Sequence, residues 1–67
     1  MTDKIVVLSA CDSEEQAAAL ARALVEQHLA ACVNIIAGAR SIYRWKDQIE
    51  DQPEWLLVIK SRRDLFD

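Results

Sequence analysis

One stretch does most to limit how this chain can fold. Leu29 to Trp45, LAACVNIIAGARSIYRW, carries the only glycine of the sequence, Gly38, inside a run far longer than an ordinary strand. Read at period two, it sets Val33, Ile35, Ala37 and Ala39 on one side, with Asn34, Ile36 and Gly38 on the other. Both sides are partly apolar. A lone glycine in a β-branched run marks a bulge or a close backbone approach more often than a break. The stretch is expected to leave a helix, run as one strand with a bend at Gly38, and turn at Lys46-Asp47, where Gln48, Ile49 and Glu50 begin the return. The product is a long β-hairpin reaching past any small core.

The flanks supply what the hairpin packs on. Lys4 to Ala10 is a short, nearly continuous apolar run rich in β-branched residues, an interior strand edged by Cys11. Asp12 and Ser13 both offer N-caps, with Glu15 or Gln16 completing a capping box. The helix that follows repeats Ala17, Leu20, Ala21, Leu24, Val25 and Leu29 on one stripe, while Glu14, Ala18, Arg22 and Glu26 fall elsewhere. Past the hairpin, Asp51-Gln52-Pro53 is expected to interrupt the returning strand, since proline donates nothing to a ladder and belongs at a bulge or an edge. Trp55 to Lys60 resumes it and, apolar on both faces, reads as central. Ser61-Arg62-Arg63-Asp64 has the form of a second capping box, with Leu65 and Phe66 opening a helix.

Strand, helix, strand, strand and the start of a helix describe an α+β protein. With a right-handed crossover and the hairpin's second strand inserted between the first two, this is the split βαβ arrangement of a ferredoxin-like sandwich. Residues 1–67 are expected to form one such domain, lacking most of the second helix and the final strand. The helices of that topology cover one sheet face only, so the doubly apolar strands call for a cover on the other.

Composition narrows the function. Sixty-seven residues, 52% hydrophobic with a net charge of −3, suit one globular domain or a piece of one. Nothing in the charge pattern supplies the clustered basic surface that nucleic acid requires, and no apolar run approaches the ~18 residues of a membrane span. The expected location is cytoplasmic. Two cysteines, Cys11 and Cys32, are too few for a disulfide scaffold and have no metal-site spacing; bracketing a helix, they are not expected to pair. A general base with an oriented partner, a nucleophile elbow and a phosphate loop are all missing from the pattern, so the chain is not expected to be an enzyme.

The run Leu29 to Ile35, then Gly38, then Ser41-Ile42-Tyr43-Arg44-Trp45, continuing through Ile49-Glu50 and Leu57-Val58-Ile59-Lys60, resembles the divalent-cation-tolerance (CutA) family over nearly the whole chain. Ala37 stands where proline is common there, and Asp12-Ser13 replaces a proline-aspartate pair. The resemblance implies the N-terminal two-thirds of a ferredoxin-like subunit in a tight homotrimer, with hairpins reaching across neighbours. It also implies a role in tolerance of copper and other divalent metals. Where some relatives carry a thiol near the end of strand one, this chain has Ser9, with Cys11 two residues later.

Each candidate residue has a functional and a plain reading. Cys11 is a soft-metal ligand or a packed thiol. His28 is a ligand or, near a helix C-terminus, a partner of the dipole. Asn34, Tyr43, Trp45 and Lys60 line a ligand cleft between subunits, or serve as interface packing and, for Asn34, as a bulge partner. Lys60, Arg62 and Arg63 hold an anion or form a solvated face. A PII-like regulatory trimer that senses small molecules between subunits shares every one of these features and stands as the alternative to metal tolerance.

Overall fold

The computed structural model describes residues 2–65. Strand β1 (Lys4–Cys11) leads into helix α1 (Glu14–Glu26), followed by β2 (Cys32–Trp45), β3 (Gln48–Arg62) and one 3-10 turn over Arg63–Leu65. The antiparallel sheet has the order β1-β3-β2, so the hairpin's second strand does lie between the first two. This is the βαββ part of a ferredoxin-like α+β fold. Phe66, one of two residues expected to open a second helical stripe, lies outside the described residues; Leu65 closes the 3-10 turn.

Of the two candidate caps, Ser13 is the one used. Its backbone is extended and its Oγ accepts from the Gln16 N–H at 3.1 Å, while Glu14 and Glu15 occupy the positive first turn. The helix stops at Glu26, earlier than the stripe through Leu29 suggested. His28 turns left-handed at φ 60, and the N–H groups of His28 and Leu29 donate to Val25 and Leu24 carbonyls at 3.1 and 2.9 Å. That is a Schellman ending built on a residue with a side chain, at a cost of about 1 kcal/mol relative to glycine.

Alternation along the paired strands sorts the sheet into two faces. Val7, Ile59 and Val33 form one row facing α1, and Ser9, Leu57 and Ile35 the next. Ala17 and Ala21 let the helix approach closely enough to bury Leu57 completely. Burial of one such leucine is worth roughly 1.5–3 kcal/mol. Leu20 and Val25, also on the expected stripe, stay exposed at its margins.

Beyond this core the sheet narrows to two strands. β1 ends opposite Trp55, and there β2 places two residues, Ala37 and Gly38, against that one residue of β3. Gly38 has φ 90, a region side chains disfavour, so the expected irregularity is a β-bulge. The extra residue reverses the alternation. Ala39 pairs with Glu54 on the face away from α1, opposite to its placement by strict period two, and Tyr43 and Trp45 follow it. Arg40, Ile42 and Arg44 take the other face, where the Arg40 guanidinium donates to both carboxylate oxygens of Asp51, Nε to Oδ1 at 3.1 Å. Lys46 and Asp47 close the arm with φ 50 and 65, a two-residue type I′ turn.

Two expectations give way here. Pro53 does not interrupt β3, because it falls where only β2 lies alongside and an edge position tolerates the missing donor. Ser61 is not a helix cap. It is a buried residue of β3, paired with Ile5, and its Oγ donates to the Leu29 carbonyl at 2.5 Å.

Candidate functional site

The face away from α1 collects most of the residues of interest. From register, it carries Val6, Leu8 and Ala10 of β1, Leu56, Val58 and Lys60 of β3, and Cys32, Asn34 and Ile36 of β2. Val6 is 61% exposed and Leu8 65%. An apolar sheet face of this kind, bare among the described residues, has the character of an interaction surface.

The candidate cleft residues all lie on this face but do not form one cluster within a chain. Lys60 pairs with Cys32, and Asn34 follows beside Val58, so those two are diagonal neighbours. Asn34 sits before the bulge, not within it. Tyr43 and Trp45 pair with Glu50 and Gln48 on the arm, ten or more residues of β3 away from Lys60, a separation of about 34 Å or more along an extended strand. Trp45 is 60% exposed. The bulge puts both aromatics on this side.

At the other end, register creates a cluster that residue types alone show only in part. Lys4 stands directly opposite Arg62, with Lys60 two residues along the same face of β3. Together with His28 they line a cavity of about 540 Å3 whose lining includes no Asp or Glu among the described residues. Arg62 has Asp64 at 3.6 Å. Of the three residues considered for an anion, Lys60 and Arg62 share this cavity. Arg63, by contrast, is taken up by the 3-10 turn, its N–H donating to the Asp3 carbonyl at 2.8 Å. Lys4 carries no signal in the sequence, because only the strand pairing reveals its neighbour.

Both thiols are free. Cys11 closes the α1 side of the sheet, packed against the core beside Trp55, whereas Cys32 is exposed on the other face. Their partners on β3 are five residues apart, about 17 Å along the strand, far beyond disulfide reach. Among the described residues no three His, Cys, Asp or Glu side chains converge as a metal ion would require. Cys11 alone therefore does not constitute a copper site, since a soft ion needs further donors around the thiolate. Among them, too, no helix is long and apolar enough to cross a membrane.

Residues 5–67 match the model of the CutA1 divalent ion tolerance protein family. Over 61 residues the chain is 49% identical to a divalent-cation tolerance protein CutA of Thermus thermophilus, covering 91% of this chain and 59% of that protein. A solved structure of divalent cation tolerance protein Cut A1 from the same organism superimposes with TM-score 0.88 at 48% identity, over 94% of this chain and 61% of the other. CutA from Synechococcus elongatus superimposes with TM-score 0.94 at 34% identity, over all of this chain and 59% of the other. The chain thus spans about three-fifths of the length of these three relatives.

Proposed function

Because the chain belongs to the CutA1 divalent ion tolerance family, we propose that it serves as one subunit of a cytoplasmic homotrimer contributing to tolerance of divalent metal ions, copper among them, without catalysing a reaction. The observation that carries the assembly is the bare apolar face. Val6 and Leu8 are more than half exposed beside half-buried Leu56 and Val58, and self-association would remove that surface from water. Two free thiols suit a reducing compartment. A second helix over the α1 side and a fourth strand on the outer edge of β1 would complete the domain, consistent with the greater length of the relatives.

Copper enters through the family and through Cys11, which sits at a strand end where further donors can be brought up from the rest of the protein or from a neighbouring subunit. Equilibrium dialysis of the full-length protein against Cu(II), with Cys11→Ser beside it, tests this: retention lowered at least tenfold by the substitution supports Cys11 as a ligand, and unchanged retention removes it. Sedimentation equilibrium decides the assembly. A stable monomer at micromolar concentration would rule out the trimer.

One observation favours a second reading, a PII-like trimer that senses small molecules. The cavity lined by Lys4, Lys60 and Arg62 has the cationic, partly apolar character of a site for an anionic effector. Metal binding would titrate with thiol or imidazole protonation. Effector binding would follow the cations instead.

A further inference from the structure

In a chain with eleven Asp and Glu against eight Lys and Arg, an end of the sheet held by three cations calls for an explanation. Lys4 and Arg62 are directly opposed across β1 and β3, and like charges in that position repel. Lys60 adds a third positive charge on the same face. The one ion pair that reaches this cluster among the described residues, Arg62 with Asp64 at 3.6 Å, is solvent-exposed and offsets little of the repulsion. The fold accepts this arrangement around a concavity of about 540 Å3, within the range of small-molecule pockets, where Val6 and Leu65 supply apolar wall and His28 a further polar group.

We propose that this cavity binds a small organic anion, with a carboxylate or phosphate head held among Lys4, Lys60 and Arg62 and an apolar body resting on Leu65 and, at the margin of the face that self-association covers, on Val6. The head group relieves the opposed charges and the body uses the apolar wall, so each half of the ligand answers one property of the site. The inference rests on the ligand-sensing reading above and names its location and ligand class.

Phenyl phosphate and benzoate serve as probes, with benzyl alcohol as the uncharged counterpart, titrated calorimetrically into the full-length protein at low salt. At least one anion should bind, benzyl alcohol should not, and affinity should fall as ionic strength rises. Preference for phenyl phosphate identifies a phosphate head, and preference for benzoate a carboxylate. Lys60→Met and Lys4→Met should each weaken binding roughly tenfold or more. Lys46→Met, at the far hairpin tip, should leave it unchanged. Lys4→Met carries the test if the Lys60 variant fails to fold. If neither anion binds, the site and the ligand-sensing reading fall together. If an anion binds as tightly to both variants as to the native protein, this site falls while ligand sensing elsewhere stands.

Discussion

Ser61 Oγ donates to the carbonyl of Leu29 at 2.5 Å, tying the connection that leaves α1 to the buried face of the central strand. The neighbouring Ala31 N–H donates to the Lys60 carbonyl at 2.8 Å, so two consecutive residues of β3 hold the loop. Ser61→Ala should cost about 1–3 kcal/mol, because a carbonyl at a part-buried site loses its donor. Urea unfolding of the full-length protein measures it. A change within about 0.3 kcal/mol, on the order of a neutral surface substitution, would mean that water replaces the hydroxyl without loss.

His28 closes α1 with a left-handed backbone that a side chain makes costly. His28→Gly should raise stability by about 0.5–1 kcal/mol. A fall in the denaturation midpoint would instead reveal that the imidazole makes a stabilising contact in the assembled protein.

Lys46 and Asp47 hold the type I′ turn, where Asn-Gly is favoured. Replacing them with Asn and Gly should stabilise the arm by about 1 kcal/mol. Limited proteolysis at the hairpin tip should slow accordingly. Faster cleavage would contradict the turn assignment.

Asp51 is held below the usual carboxylate range, first by its hydrogen bond from Arg40 and then by the guanidinium charge, against an opposing effect of desolvation. A carboxylate depressed in the folded state stabilises above its unfolded pKa, and that contribution is lost as pH falls through the folded value. The difference in denaturation midpoint between native protein and Arg40→Gln should therefore be constant near neutrality and shrink below about pH 4. Both groups are exposed, so the difference should be small and decrease with added salt. A gap that persists in strong acid would show that the arginine acts through packing.

Much of this architecture is legible from residue types because it rests on apolar periodicity. The Trp55 to Lys60 run announces a central strand, and Gly38 announces a bulge. What the bulge does is less visible, since two residues opposite one shift the alternation without changing composition, and only register places Tyr43 and Trp45 on the face away from α1. Ser61 follows a cap pattern, yet the alternation of Leu57 and Ile59 continues through it toward the core and explains its burial. Pro53 misleads because an edge position cannot be told from an interior one before the length of β1 is known. Of the site, Lys60 and Asn34 emerge as neighbours. Lys4 is out of reach for the same reason as Pro53: opposition across strands belongs to topology.

The bulge at Ala37 and Gly38 also makes the sidedness of the arm a matter of counting. Shortening β2 by one residue there would restore simple alternation and leave everything from Ala39 to Trp45 opposite its present β3 partner and on its present face, whereas a one-residue slip of the arm against β3 would exchange those faces. Only such a slip would aim each aromatic half a turn away from whatever it now meets. For this segment, loss of one residue at the bulge is a gentle form of variation and a shift in register the severe one, a difference that a comparison of residue types alone would never register.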